Sequence, residues 1–272
     1  MPLRLTLKAR SAVPLEVERI TPDVVRSKSL AEIENLKMFQ GNLRLPLAEF
    51  FAISGEAADG VMEWEGDLSG VHWIGAKMTS GRIVIEGSGG RHIGSEMRGG
   101  EIHVSGNAGD WVGGEMHGGF IHVRGSAGHL VGGAYRGSAQ GMTKGTILIG
   151  GDAGNEVGHS LRRGLIAIGG NVGNMAGFNM RAGTILLFGE SGVRHGAGMK
   201  RGTLGFLGRN LPPMLPTFRR ACRCQPDVLP LLLRELQQRE FAVAEELFTT
   251  HYDLYNGDLI EGGRGEILMR AV

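Results

Sequence analysis

The chain has 272 residues with 29 basic and 28 acidic side chains, a balance that excludes a generally basic nucleic-acid binder. Glycine accounts for 47 residues, about 17% of the chain against a usual ~7%, whereas proline accounts for only 9, which excludes collagen. Cys222 and Cys224 are too few for a disulfide framework and predict free thiols. We find neither an apolar run of roughly 18 residues nor a signal-peptide pattern, so we expect no membrane segment and a cytoplasmic location.

Residues 1–59 lack the repeat found further along the chain and predict an N-terminal cap. Within them, Pro14–Glu18 predicts a strand. Ser29 followed by Glu32 forms a capping-box pattern and predicts the start of a short helix. Leu47–Ile53 predicts a further short apolar element. Together these elements are expected to cover one end of the repeat region.

Residues 60–208 contain 41 of the 47 glycines, no proline and an internal repeat. Successive copies follow a 19-residue period, except for one longer interval that carries a seven-residue insertion within Gly133–Gly141. The second and fourth residues after each starting glycine are apolar, a period of two that is typical of a strand with one buried face. The full copies start at Gly81, Gly100, Gly119, Gly145, Gly164 and Gly183.

This pattern predicts a mainly β fold, a β-solenoid (right-handed β-helix) of about seven 19-residue coils. Equivalent residues of successive coils would stack at ~4.8 Å. Glycines recur at the corners of each copy, where we expect positive φ, as at Gly109, Gly128 and Gly173. One further column is predicted to point inward, with flexible thioethers filling the core. Its members are Met78, Met97, Met116, Met142, Leu161, Met180 and Met199.

Residues 209–272 predict a C-terminal cap. Asp227–Phe248 is rich in leucine at amphipathic helical spacing, and Tyr255–Met269 ends in a strand-like segment. Both ends of a stack of strands are exposed sheet edges, which the flanking regions are expected to cover. The sequence therefore divides into an N-terminal cap (1–59), a glycine-rich β-helix (60–208) and a C-terminal cap with a helix (209–272).

Candidate catalytic and metal-binding residues are scarce. The motifs of nucleophilic, nucleotide-binding and zinc enzymes are missing from the sequence, so we expect no catalytic residue on this chain. His103 and His122 share one position of adjacent copies on the outer face, but no third ligand occurs in their column. We therefore expect these histidines to be solvated or at an interface, and we predict no metal site.

A basic column is the candidate binding feature. It consists of Arg162, Arg163, Arg181, Lys200 and Arg201, which lie at or beside one position of three consecutive copies. Stacked cations repel one another unless they are solvated or paired. Three interpretations stay open: a solvated edge, a contact with an acidic subunit surface, and a site for a polyanionic ligand.

The repeated G-x-x-G-x-x-x-G pattern resembles the β-helix domain of glutamate synthase large subunits and the C subunit of formylmethanofuran dehydrogenase. The flanking segments favour the second family. Ile20-Thr-Pro-Asp, Lys28-Ser-Leu-Ala-Glu-Ile and Gly41-Asn resemble the start of the C subunit, and Gly257-Asp-Leu-Ile-Glu-Gly-Gly-Arg-Gly-Glu-Ile-Leu resembles its end. The resemblance to the C subunit thus covers nearly the whole chain, whereas the glutamate synthase resemblance covers its middle.

This resemblance implies a noncatalytic β-helix subunit of a one-carbon enzyme complex. In the bacterial formyltransferase/hydrolase complex of methylotrophs, formyl passes from a tetrahydromethanopterin carrier to a methanofuran analogue and is hydrolysed to formate. The 23 arginines against 6 lysines favour this branch over the alternative, the archaeal CO₂-reducing dehydrogenase. A stand-alone glutamate synthase β-helix subunit is a further alternative, and a self-associating scaffold is another.

The same resemblance implies the partners and the cofactor. The expected partners are an amidohydrolase-like A subunit, a B subunit and a formyltransferase D subunit, with no nucleic acid and no membrane. The chain is expected to bind no cofactor of its own. The methanofuran analogue carries a chain of glutamates, and the five basic residues of the column are the candidates for contact with that tail.

Overall fold

The computed structural model describes residues 1–271, and it confirms the prediction of a mainly β fold. Its strands are β1 (Leu3–Leu7), β2 (Leu15–Glu16), β3 (Lys37–Gln40), β4 (Leu43–Pro46), β5 (Phe51–Ser54), β6 (Val61–Glu65), β7 (Val71–His72), β8 (Arg82–Glu86), β9 (Glu101–Val104), β10 (Phe120–Val123), β11 (Thr146–Ile149), β12 (Leu165–Ile168), β13 (Thr184–Leu187), β14 (Gly202–Phe206), β15 (Arg219–Cys224), β16 (Tyr252–Gly257) and β17 (Gly265–Arg270). Its helices are α1 (Pro22–Val25), α2 (Leu30–Glu34), α3 (Leu47–Phe50) and α4 (Val228–Gln238), with 3-10 turns at Glu245–Phe248 and Leu259–Glu261. Among these helices none combines the length and the apolar character that crossing a membrane requires.

The strands of the repeat lie side by side in one large sheet. Its 13 strands follow the order β15-β16-β17-β14-β13-β12-β11-β10-β9-β8-β6-β1-β5, and a second sheet follows the order β4-β3-β2-β7. From β6 to β14 every neighbouring pair is parallel. Ile102 pairs with Ile121, which pairs with Ile147, so equivalent positions of successive copies meet even across the insertion.

The predicted inward columns are confirmed. The apolar pair of each strand, such as Ile83 and Ile85 of β8, is fully buried. All members of the methionine column and its single leucine are also fully buried. The core of the repeat region is therefore a set of parallel rows, each built from similar apolar side chains at equivalent positions of successive copies.

The glycines of the repeat fall into two groups with different reasons for being glycine. The starting glycine of each copy and the last glycine of its G-x-x-G-x-x-x-G motif have positive φ, as at Gly100 (87°) and Gly113 (61°). Gly109, Gly128 and Gly173 do not, so the expectation of positive φ there is wrong. These positions require glycine because the neighbouring copy leaves no room for a side chain. A Cβ on Gly109 would lie 3.0 Å from backbone atoms of the preceding copy.

Polar side chains connect the copies where the strands end. Asn107 Oδ1 accepts a hydrogen bond from the backbone N–H of Ser126 at 2.8 Å, and Asp110 Oδ1 accepts one from His129 at 2.8 Å. Asn155 Oδ1 accepts the N–H of Asn174 in the same way at 2.8 Å. Each side chain thus satisfies a backbone donor that the strand ladder does not reach.

The N-terminal region contributes strands to both sheets. β1 pairs in parallel with β6, and β5 pairs antiparallel with β1 and forms the edge. The capping box at Ser29 is confirmed: Glu32 Oε2 accepts the N–H of Ser29 at 2.8 Å, and Ser29 Oγ accepts the N–H of Glu32 at 3.4 Å. The predicted strand Pro14–Glu18 is reduced to the two residues of β2, and Leu47–Ile53 divides between α3 and β5.

The C-terminal region continues the large sheet and also covers its outer face. β17 pairs in parallel with β14, and β16 and β15 follow antiparallel, so the predicted closing strand is confirmed. The helix is shorter than predicted, because it ends at Gln238 and is followed by turns. The sequence predicts one buried face for each strand, which is wrong for β11 to β13. Their outward side chains Leu148, Ala167 and Leu186 are buried in one cluster with leucines of α4.

We predict that glycine and methionine substitutions in the repeat differ sharply in cost. Gly109→Val should lower the free energy of unfolding by at least about 2 kcal/mol, because the new side chain overlaps the preceding copy. Met116→Leu conserves volume in a fully buried site and should cost less than about 1.5 kcal/mol. Chemical denaturation followed by circular dichroism measures both.

Gly70→Val is the matched control. A Cβ at Gly70 would meet no atom within 4 Å, and the residue does not have positive φ. Its stability should therefore stay close to that of the wild type. Equal costs at Gly109 and Gly70 would contradict the close approach of successive copies.

Candidate functional site

The repeat fixes the spacing of the basic column. Arg162, Arg181 and Lys200 each follow directly after a buried residue of the methionine column. Their backbone N–H groups donate to the carbonyl oxygens of Met142, Leu161 and Met180, one copy earlier, at 2.9, 2.8 and 2.7 Å respectively. The three side chains therefore project from the edge of the core, one from each copy. The distance between neighbouring strands sets their spacing.

These residues line one groove, which we call the cationic groove. All five predicted residues, Arg162, Arg163, Arg181, Lys200 and Arg201, border a cavity of about 300 Å³. Ala182 and Arg264 complete its lining.

Sequence analysis missed Arg264, which reaches the groove from the segment before β17. This residue lies outside the repeat, so no periodic signal relates it to the column.

The cationic groove has a large excess of positive charge. In the described residues, Lys200 is the one lining cation that has a carboxylate within 4.0 Å: its Nζ lies 3.3 Å from Glu261 Oε2. This pair is largely exposed and contributes little to stability. Six basic side chains therefore face a single carboxylate.

The side chains of the cationic groove are suited to binding anionic groups. Its lining side chains are guanidinium, ammonium and methyl groups, and guanidinium groups stay charged at any physiological pH. Such groups bind carboxylates or phosphates but do not act as general bases. The arrangement suits a ligand or a protein surface with several negative charges.

The two histidines of the outer face differ in environment. Their ring centroids lie 6.4 Å apart. His103 is half-buried, and its Nε2 lies 3.2 Å from Glu101 Oε2. His122 is only 7% exposed, and burial lowers its pKa, which corrects the expectation of a solvated or interface residue. Within residues 1–271 we find no group of three side chains arranged to hold a metal ion.

An aromatic cluster that sequence analysis missed lies at another edge of the repeat. The rings of Trp73 and His92 stack with centroids 4.0 Å apart, and Trp111 continues the stack 5.3 Å from His92. Tyr135, from the seven-residue insertion, places its hydroxyl 3.1 Å from His92 Nδ1. The signal was present in the sequence, because Trp73, His92 and Trp111 follow one another at the repeat spacing. The cluster anchors the insertion to the repeat.

Burial sets the protonation states in this cluster. It lowers the pKa of His92 to about 4 and raises the pKa of Tyr135 to about 12. Both side chains are therefore neutral at pH 7, and the hydrogen bond between the Tyr135 hydroxyl and His92 Nδ1 joins two uncharged groups. Protonation of His92 would place a hydrogen on both ring nitrogens, so that Nδ1 would donate to the Tyr135 hydroxyl oxygen.

Known proteins resemble this chain in sequence and in structure. No protein-family model matches it. The C subunit of molybdenum-containing formylmethanofuran dehydrogenase 1 from Methanothermobacter thermautotrophicus is 42% identical over 87 residues, which are 32% of this chain and 22% of the relative. The C subunit of tungsten-containing formylmethanofuran dehydrogenase 2 from Methanothermobacter marburgensis is 40% identical over 88 residues, 31% of this chain and 33% of the relative. The matched part thus spans between about a fifth and a third of the length of these curated relatives.

A solved structure matches over the whole length. It is a chain of the formyltransferase/hydrolase complex FhcABCD from Methylorubrum extorquens, solved in complex with methylofuran. The TM-score is 0.88 at 29% identity, and the match covers 99% of this chain and 100% of that chain. This chain is a homologue of the formylmethanofuran dehydrogenase C subunit. The repeats and flanking segments indicated a resemblance to the C subunit, and the comparisons confirm it for this C-subunit homologue. The structural match includes both regions outside the repeat.

We predict that the stability of this C-subunit homologue depends on pH through His92. The pKa of His92 is about 4 in the folded protein, against ~6.5 in the unfolded chain. The unfolded chain therefore takes up a proton first as the pH falls, and the free energy of unfolding should decrease between these two values.

His92→Phe keeps a stacking ring that cannot be protonated. Urea unfolding at a series of pH values should show a weaker decrease for this variant than for the wild type. Identical pH dependence in the two proteins would contradict the assignment of a buried, neutral His92.

Proposed function

We propose that this chain is the noncatalytic subunit of a cytoplasmic one-carbon complex that transfers formyl from a tetrahydromethanopterin carrier to a methanofuran analogue and hydrolyses it to formate. The structural match to a chain of the formyltransferase/hydrolase complex supports this, because it extends over 99% of the molecule. The partners we propose are an amidohydrolase-like A subunit, a B subunit and a formyltransferase D subunit.

We infer that the repeats wind as a right-handed β-helix of about seven coils between caps at 1–59 and 209–272. The parallel, in-register pairing of equivalent strands from successive copies supports this arrangement. A second set of parallel bridges supports it as well: Ala127 pairs with both Ala108 and Ala153 on another side of the repeat. In this arrangement the protein is a rigid rod that presents its side chains at fixed intervals.

The observation that carries the functional proposal is the cationic groove. We propose that it holds the glutamate chain of the methanofuran analogue, and its excess of unpaired cations supports this. Each exposed contact between a guanidinium and a carboxylate is weak and is screened by salt. Several such contacts at a regular spacing would retain a flexible polyanion near the complex while allowing it to move.

A second candidate is the C subunit of a CO₂-reducing formylmethanofuran dehydrogenase. The 40–42% identity to archaeal subunits of that enzyme favours it. The metal content of the purified complex distinguishes the two candidates. Molybdenum or tungsten in stoichiometric amounts would favour the dehydrogenase, and a formyltransferase chain in a complex free of both would favour the first candidate.

We predict that the isolated chain has no formyl-methanofuran hydrolase activity and that a tagged chain co-purifies with the three proposed partners from its native host. Mass spectrometry identifies the co-purifying chains, and formate release measures the activity. Hydrolysis by the protein free of the A subunit would contradict a noncatalytic role. Purification without any partner would contradict membership of a complex.

We predict that the triple variant Arg162→Ala, Arg181→Ala, Lys200→Ala weakens binding of the cofactor to the assembled complex. KM for the methanofuran analogue should rise about tenfold and depend less on salt, because three charge-assisted contacts are lost. Arg98→Ala is the matched control, since Arg98 has the equivalent position in an earlier copy and lies outside the cationic groove.

The assembly state of the triple variant separates the interpretations of the basic column. An intact complex with raised KM supports the site for the glutamate chain. Loss of a partner chain would instead assign these residues to an interface between subunits. Unchanged KM in an intact complex would leave the column as a solvated edge and contradict the proposal.

A further inference from the structure

A second groove lies at the C-terminal end of the large sheet, and we call it the C-terminal groove. It runs between the ends of β13 and β14 and the segment 242–247, with a volume of about 590 Å³. Its floor is apolar and is formed by Phe188, Leu207, Val243 and Leu247. Leu207 and Leu247 are buried, whereas Phe188 and Val243 keep part of their surface open.

Three charged side chains lie at one side of this floor. Arg270 Nη2 lies 2.9 Å from Glu246 Oε1, and Arg209 Nη2 lies 3.3 Å from the same oxygen. Hydrogen bonds from Arg270 and Arg209 lower the pKa of Glu246, so this carboxylate is ionised at neutral pH. Two guanidinium groups share one carboxylate, which leaves one positive charge uncompensated.

The two guanidinium groups are not equally available. Arg270 is mostly buried, and its Nη1 also donates to the carbonyl oxygen of Leu207 at 3.5 Å. The side chain of Arg209 is 78% exposed, and within residues 1–271 its only contacts with a carboxylate are the long ones from Nη2 to the two oxygens of Glu246, at 3.3 and 3.4 Å. The free charge is therefore that of Arg209, next to the apolar floor.

We propose that the C-terminal groove binds an amphipathic monocarboxylate, with an apolar body on Phe188 and Val243 and its carboxylate at Arg209. The volume lies within the usual range for small-molecule sites, about 300–1,000 Å³. A polyanion would meet the apolar floor and the carboxylate of Glu246. A neutral apolar molecule would make no charge-assisted contact with the guanidinium of Arg209, which shares the single carboxylate of Glu246 with Arg270. The cationic groove has no lining residue in common with this one.

A matched pair of fluorescent probes tests the charge requirement on the whole chain. Anilinonaphthalene sulfonate has an aromatic body and one anionic group, which stands in for a carboxylate. Phenylnaphthylamine has the same body without the charge. We expect the sulfonate to bind with one site per chain and to be displaced by decanoate but not by decanol.

Substitutions at the charged side chains should have opposite effects on the sulfonate. Arg209→Gln should weaken its binding about fivefold through loss of a charge-assisted contact. Glu246→Gln should strengthen its binding, because it removes the competing carboxylate. Neither change should alter binding of the neutral probe by more than about twofold.

A blocking variant locates the site. Ala242 lines the groove and is exposed, so Ala242→Trp should fill it and abolish binding of the sulfonate. Ala139→Trp, at an exposed position of the insertion, is the control and should bind as the wild type does. Unchanged binding in Ala242→Trp, equal responses of the two probes to Arg209→Gln, or displacement by decanol as well as by decanoate would each overturn the proposal.

Discussion

The close approach of successive copies is the constraint on which the rest of this structure depends. Backbone N–H groups between the strands donate directly to the copy before, as from Gly109 to the carbonyl oxygen of Gly90 at 3.0 Å and from Gly128 to that of Gly109 at 3.2 Å. Chains this close leave no room for a Cβ at these positions. The glycines without positive φ follow from this geometry, and Asn and Asp side chains satisfy backbone donors between the copies.

The same constraint determines how function is built into the molecule. A side chain placed once per copy recurs at the strand spacing, so three consecutive copies can form a row of cations without any further folding information. The fold holds this row of cations in place although their charges repel one another. Within the described residues, only Lys200 of this row has a carboxylate within 4.0 Å. The cost of this repulsion falls when a polyanion or an acidic surface binds. The repeat is well suited to this purpose because its backbone hydrogen bonds fix the spacing of the positions that carry the cations.

Much of the fold could be predicted because the repeat makes each signal occur several times. The strands, their parallel register and the methionine column follow from residues at 19-residue spacing. Features that occur only once in the chain were harder to predict. Nothing in the sequence relates Arg264 to the cationic groove, and the amphipathic pattern of α4 does not say which surface it covers. The glycines illustrate a different limit, since residue type alone does not distinguish a need for positive φ from a need for space.

Binding of oligoglutamates of increasing length to the isolated chain tests most directly whether the repeat builds a polyanion site. Calorimetry at two salt concentrations gives the dissociation constants. The account predicts that affinity rises with each added glutamate until the cations of the groove are occupied, and that it falls as salt increases. Affinity that is independent of length, or insensitive to salt, would contradict it.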